Sequence, residues 1–244
     1  MYYGMVTFSF NSFGKVKLLI SRLSKLTTNA QLSLFQDKCE LTYGSSRIKT
    51  DVSIIEGVLP DEGECFMINL VNLHHIIKSI PATNKFICKW DHKTVLEICT
   101  KVQRMNNPCN NSIRLMVKPL EMRDTPIYCT NKFYYSSSKT SVDIHHLIWI
   151  MEKVCSNFEE VLLSFNGDKL RIAGSESEYE FESEIVLDNK IGDFSLKIDS
   201  VKFLQELWLL EWNNSCVCFF IEPNTLELYT ISKSDNEEVL LMLR

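Results

Sequence analysis

Hydrophobic and polar positions along this 244-residue chain repeat one order of elements four times. Each repeat begins with a short alternating strand, continues with an amphipathic helix of about three turns, and ends with two alternating strands around a tight turn. A quarter of the chain, about 61 residues, is the repeating unit. Apolar residues at helical spacing predict the four helices as Ser12–Leu26, Val71–Ile80, His145–Cys155 and Val201–Leu210.

The strands are predicted from period-two alternation of apolar and polar residues. Those that precede the helices are Met5–Phe10, Phe66–Leu70, Ser141–Ile144 and Phe194–Ile198. The pairs that follow them are Gln31–Phe35 with Lys38–Tyr43, Lys85–Trp90 with Thr94–Thr100, Val161–Phe165 with Lys169–Ala173, and Cys216–Ile221 with Thr225–Ile231. Strands and helices in this order predict an α+β fold.

The composition is that of an ordered globular protein, with 45% hydrophobic and 23% charged residues and only 8 Gly and 6 Pro. Nine scattered cysteines, an odd number without a Cys-x-x-Cys pair, indicate reduced apolar core residues rather than a zinc or redox site. The first residues have no basic flank or long apolar stretch, and no run of eighteen apolar residues follows. We therefore expect an intracellular protein without a membrane association.

The basic polar sides of the helices are a local departure from the acidic charge of the whole chain. The formal net charge is −5, yet the first helix has four cations and no anion, opposite or beside its apolar stripe of Val16, Leu19, Ile20 and Leu23. Glu176–Glu184 holds five carboxylates elsewhere. Cations on one side of an acidic protein favour a bound polyanion, although solvated lysines on any helix give the same pattern. In the fourth helix, Lys202 is offset by Glu206 and Glu211.

Catalytic signatures are missing from the sequence. It contains no Gly-x-Gly-x-x-Gly, no Gly-Lys-Ser/Thr phosphate loop, no His-Glu-x-x-His and no Gly-x-Ser-x-Gly. The adjacent pairs His74-His75 and His145-His146 diverge around a helix and make poor metal sites. We expect a protein that is not an enzyme and that uses no cofactor and no metal.

The segment 118–139 has neither helical nor strand periodicity, and Pro119 and Pro126 favour extended backbone. It separates two similar halves, which predicts an N-terminal domain at 1–117, a connector at 118–139 and a C-terminal domain at 140–244. Apolar connector residues either lie on the sheet as a simple strap or border a groove for partner peptides. These residues are Leu120, Met122, Ile127 and Tyr128.

The order of elements resembles the sliding clamps of DNA replication and repair, and most of all the Hus-type subunit of the heterotrimeric checkpoint clamp, the nine-one-one complex. The resemblance spans the whole chain and rests on short segments. They are Ile20–Leu26, Asp37–Leu41, Leu70–Leu73, Gly167–Ile172, Asp199–Leu204 and Val239–Leu243. It implies two similar halves, each a doubled β-α-β-β-β unit, with the helices on one inner face of antiparallel sheets.

In such clamps three subunits close into a ring whose helices line the hole. The resemblance therefore places the helix cations toward duplex DNA, which presents one negative charge per about 1.7 Å of its axis and attracts them without sequence preference. The residues expected to face DNA are Lys15, Lys17, Arg22, Lys25, His75, Lys78, Lys153 and Lys202.

Ring closure by strand addition needs a free sheet edge at each end of the subunit. The resemblance implies an apolar and basic edge at one end and an acidic edge at the other. The first edge consists of Ile113, Arg114, Leu115, Met116 and Val117, and the second of Tyr179, Glu180, Phe181, Glu182, Ser183, Glu184 and Ile185. The charges of the two edges permit either a mixed ring or a ring of identical subunits.

The function implied by the resemblance is that of a nuclear checkpoint clamp subunit. It would join two other clamp-like subunits, be loaded at damaged DNA by a clamp loader that holds the ATP, and serve as a platform for repair and checkpoint proteins. A homotrimeric replication clamp, the proliferating cell nuclear antigen type, is the alternative. A scaffold that never meets DNA is a third, more distant possibility.

Overall fold

The computed structural model describes residues 4–44, 46–81, 86–104, 107–120, 139–176, 179–211, 216–222, 227–234 and 237–243. Two units divide the chain, residues 1–125 and 126–244. The division falls inside the segment 118–139, whose limits as a connector stay a prediction. Helices and antiparallel sheets occur in both units, as the α+β prediction requires.

The first unit is an antiparallel sheet with two helices. Its helices are α1 (Phe13–Leu26) and α2 (Leu70–Ile77). Its strands are β1 (Val6–Phe10), β2 (Asn29–Leu34), β3 (Lys38–Tyr43), β4 (Ser46–Glu56), β5 (Glu64–Asn69), β6 (Phe86–Trp90), β7 (Val95–Arg104), β8 (Asn107–Met116) and β9 (Lys118–Leu120). The strand order β9-β5-β2-β3-β4-β1-β6-β7-β8 leaves β8 at one end, where it pairs with β7.

The second unit also has two helices, α3 (Ile144–Val154) and α4 (Ser200–Glu211). Its strands are β10 (Lys139–Asp143), β11 (Glu160–Glu176), β12 (Tyr179–Asp199), β13 (Cys216–Glu222), β14 (Glu227–Ser234) and β15 (Glu237–Leu243). Strands β10, β13, β14 and β15 pair in that order, and β11 pairs with β12. A hydrogen bond from the Ser141 hydroxyl to the Asp188 carboxylate joins β10 to β12.

All four predicted helices are confirmed, because each has an apolar side that its sheet covers. In α1, the predicted stripe of Val16, Leu19, Ile20 and Leu23 is buried, and Phe13 extends it. In α3, six side chains are buried, Ile144, Leu147, Ile148, Ile150, Met151 and Val154. None of the helices in the described part of the chain is long and apolar enough to cross a bilayer.

Hydrogen-bonded caps recur at the starts of three helices. The side chains of Asn69, Asp143 and Asp199 each accept a bond from the amide three residues further on, at 2.7–2.8 Å. Such a cap satisfies one of the amides that a helix start leaves unpaired. All three residues end a strand that leads directly into a helix, so the same junction occurs once in the first unit and twice in the second.

Two predictions about strands are wrong in detail. Val161–Phe165 and Lys169–Ala173 are parts of one strand, β11, with an irregularity at Gly167, whose φ of 60° suits glycine. The buried positions change from odd to even numbers across Gly167. In the segment predicted to be irregular, Lys118–Leu120 form β9 and pair with Cys65–Met67 of β5. Pro119 is compatible with that short outermost strand because an edge position needs fewer amide donors.

Candidate nucleic-acid interface

In the first unit, α1 and α2 lie side by side and run in opposite directions. Near the start of α1, the Lys17 ammonium donates to the backbone oxygens of Lys78 and Ile80, just beyond the end of α2, at 2.7 and 2.6 Å. Past the end of α1, the Thr28 oxygen accepts from the Leu70 amide, which begins α2, at 2.8 Å. The polar sides of the two helices are therefore close neighbours.

Lys17 has partners within its own unit. Its predicted phosphate contact stays a prediction; in the structure this half-buried residue donates its ammonium to two carbonyls just beyond the end of α2. The carbonyls at a helix end have no intrahelical partners and carry partial negative charge, so a lysine there is stabilising. Lys17 joins the two helices of this unit.

Other cations gather around His74 on the shared side of α1 and α2. Burial lowers the pKa of His74 most, and the positive charges of His75, Lys78, Lys25 and Lys17 lower it further. The Lys78 ammonium also donates to Nδ1 of His75 at 3.1 Å. We call Lys25, His75 and Lys78, which surround His74, the cation cluster. Because its members come from two helices, the cluster presents positive charge over a surface and not along one line.

Most predicted DNA-facing residues of this unit are accessible. Lys15, Lys25, His75 and Lys78 are exposed, whereas Arg22 is half-buried. Leu18, which is 44% exposed, interrupts the cations on α1. Sequence reasoning did not include His74, although its position four residues before Lys78 was a signal that both face the same side of α2.

In the second unit, α3 and α4 are antiparallel as well. Nδ1 of His145, at the start of α3, lies 3.3 Å from the Glu211 carboxylate at the end of α4. At the opposite end, the Ser200 amide, which begins α4, donates to the Glu159 oxygen just after α3 at 2.9 Å. This arrangement brings Lys153 and Lys202, both exposed, to the same end of the helix pair.

Glu206, which we expected to offset Lys202, is buried. The residue is 4% exposed, and burial raises the pKa of its carboxyl to about 7, opposed by Lys202 and reinforced by Asp199. Its neighbours Phe203, Leu207 and Leu210 are also buried. At neutral pH a large part of Glu206 is protonated, which weakens its ability to neutralise Lys202.

Comparison with known proteins identifies the fold but no relative in sequence. No family model and no curated protein matches the chain. Among solved structures, the proliferating cellular nuclear antigen of Entamoeba histolytica superimposes with a TM-score of 0.72. The two chains are 10% identical, and the match covers 99% of this chain and 98% of that one. The chain has the fold of a sliding clamp.

The first predicted edge of this clamp fold is only partly available for side-chain contacts. Within 113–117, Ile113 is 43% and Met116 67% exposed, and Arg114 is exposed with its Nε 3.9 Å from the Glu97 carboxylate. Leu115, in β8, and Val117, just after it, are buried, so their side chains are covered within their own unit. The contact of this edge with another subunit stays a prediction.

The second predicted edge differs from expectation in its charge. Tyr179 is 68% exposed and Glu180 is exposed, whereas Phe181 and Ser183 are half-buried and Ile185 is buried. Two of its carboxylates already have cationic partners on β11: Glu184 lies 2.6 Å from Lys169, and Glu182 lies 2.5 Å from Arg171. The bond to Glu184 raises the pKa of Lys169. This edge is therefore less acidic than its sequence indicates.

Of the connector residues proposed to border a partner groove, Leu120 alone lies within the described residues. Leu120 is half-buried on β9, and its backbone oxygen accepts a bond from the Cys65 thiol at 3.4 Å. The position fits the strap interpretation for this residue. Met122, Ile127 and Tyr128 lie outside the described residues.

Proposed function

We propose that this chain is one subunit of a ring that encircles duplex DNA, and that the ring is a heterotrimeric checkpoint clamp. One observation supports the proposal: the chain has a clamp fold, and Lys25, His75 and Lys78 are exposed on two neighbouring antiparallel helices. Cations spread over two helices suit phosphates, which repeat along any duplex. The segments that resemble the Hus-type subunit favour the mixed ring.

In this proposal the chain binds DNA without reading its sequence. In the first unit, interchangeable contacts with phosphates are formed by Lys15, Arg22, Lys25, His75 and Lys78. In the second unit, Lys153 and Lys202 form a smaller set of such contacts. Closure of the ring supplies retention, so no single contact has to be strong. The protein acts in the nucleus, is loaded by a separate ATP-dependent loader, and serves repair and checkpoint proteins as a platform without catalysis of its own.

Charge reversal in the cation cluster tests the DNA part of the proposal. We expect K25E/K78E to weaken binding to a blunt duplex about tenfold or more at about 50 mM salt. The double variant makes fewer phosphate contacts and releases fewer counterions than the wild type, so the difference in affinity should shrink as the salt concentration rises. The matched control is K93E/K118E, which changes the net charge equally at exposed lysines outside the helices. Equal duplex affinity of the two double variants would contradict the proposed DNA-facing surface.

A homotrimeric replication clamp is the second candidate, favoured by the similarity to an Entamoeba proliferating cellular nuclear antigen. The assembly state separates the candidates. A homotrimer of the 28.3 kDa chain has a mass of about 85 kDa, three times the subunit. We expect the purified chain to remain below that mass and crosslinking in cells to recover two different clamp-like proteins. A stable trimer of the chain alone would support the replication clamp instead.

A further inference from the structure

An exposed aromatic group lies on the outer side of α3. Trp149 is 54% exposed, the Lys153 ammonium lies over its indole at 3.3 Å from the ring centroid, and the His146 ring is 6.1 Å away. The three residues occupy positions i−3, i and i+4 of one helix and so share a side. We call them the Trp149 site. It is distinct from the cation cluster, which belongs to the other unit.

The fold itself does not account for the exposed indole. The opposite side of α3 is already lined by six buried aliphatic side chains and needs no further contact. Trp90 shows how this protein uses a structural tryptophan: it is 1% exposed and its indole nitrogen donates to the Glu64 carboxylate. A large aromatic side chain left in solvent beside a lysine suits a ligand with both a flat face and a negative charge.

Duplex DNA does not match these features, because its bases stack on one another and turn only their edges outward. Unpaired nucleotides do match, since each offers a base face for stacking and a phosphate for a nearby cation. Lys153 and Lys202 lie at the same end of the helix pair, where they are placed to meet phosphates on either side of a stacked base.

We propose that the Trp149 site binds an unpaired nucleobase, so that this subunit recognises single-stranded DNA or a junction between single- and double-stranded DNA. The base displaces the Lys153 ammonium from the indole face and stacks there beside His146, and the ammonium groups of Lys153 and Lys202 contact its flanking phosphates. The inference rests on the proposed function, in which DNA passes the helices of the subunit. It adds a preference for DNA that contains unpaired bases.

Binding of the full-length chain to two DNA probes tests the inference. The probes are a fluorescent (dT)20 strand and a blunt 20-base-pair duplex, each at about 50 mM salt, where phosphate contacts are strong. We expect W149A to weaken (dT)20 binding about tenfold, W149F to weaken it about threefold, and neither to change duplex binding more than about twofold. The control V201A shortens an exposed apolar side chain on α4 and should leave both affinities unchanged.

A spectroscopic readout separates stacking from a general effect on the surface. Saturating (dT)20 should quench tryptophan emission of the wild type, and W149F should lose most of that quenching. The inference is overturned if the wild type does not bind (dT)20, if W149A binds it like the wild type, or if W149A weakens both probes equally. Failure of the proposed function gives a different result, namely no effect of K25E/K78E on duplex affinity while binding of (dT)20 still depends on Trp149.

Discussion

Replacement of Glu206 by glutamine should stabilise the protein above neutral pH and have little effect in mild acid. Glu206 is 4% exposed on α4, and burial raises its pKa from 4.5 to about 7. A buried carboxyl binds its proton more tightly in the folded chain than in the unfolded chain. Folded molecules therefore hold more protons between these two pH values, and the stability falls as pH rises through this range.

The size of the effect follows from the two pKa values. Each pH unit between 4.5 and about 7 contributes about 1.4 kcal/mol, so ionised Glu206 lowers the free energy of unfolding by about 3 kcal/mol above pH 7. At pH 4.5 and below, that cost is not present. The sign is opposite to that of an ion-paired carboxylate, whose stabilising contribution is lost in acid.

Urea unfolding followed by circular dichroism, at intervals from pH 4.5 to pH 8.5, measures this difference. We expect E206Q to exceed the wild type by about 3 kcal/mol at pH 8 and to match it within about 0.5 kcal/mol at pH 4.5. E152Q, at an exposed position of α3, is the control and should follow the wild-type curve. Parallel curves for the wild type and E206Q would refute the reasoning.

Two further substitutions test the helix contact and the ring edge. K17M should lower the free energy of unfolding by about 1–2 kcal/mol in urea melts, because two carbonyls just beyond the end of α2 lose a charged donor. The control K25M, on the same helix, should change the free energy of unfolding little. Equal stability of K17M and K25M would contradict the proposed role of Lys17. M116R, at a 67% exposed edge position, should prevent assembly with other clamp subunits in sedimentation experiments without lowering the melting temperature. The control is V58R, at a 63% exposed position outside both predicted edges, and it should assemble like the wild type. If M116R still assembles with other clamp subunits, the β8 edge is not a subunit interface.

The helices were predictable because their periodic apolar residues report directly on burial. Every helix lies within three residues of its predicted bounds, and α2 differs most, because it ends at Ile77 and not at Ile80. The contact of Lys17 was not predictable. A helical wheel gives the direction of a side chain from its own axis, but it does not say that the end of another helix lies there.

Glu206 and the ring edge show two other limits. Glu206 lies four residues after Lys202, a spacing typical of an exposed ion pair, yet buried residues surround most of α4 and leave it only a narrow polar side. At the end of β8, alternation was enough to predict that Leu115 points inward and that Val117, just after the strand, does too, but the resemblance assigned all of 113–117 to the edge. A resemblance locates an element, whereas the pattern within the element decides which side chains are available.

The proposed ring offers an explanation for the chemical difference between the two units. Closure of such a ring makes retention independent of any one contact, so the cations need not be distributed evenly among the helices. The first unit concentrates them around His74, where burial lowers the pKa of the imidazole most and the neighbouring cations lower it further. The second unit has fewer cations, buries Glu206, and exposes Trp149 beneath Lys153. The proposed binding of an unpaired base gives that indole a role that contact with duplex DNA does not require.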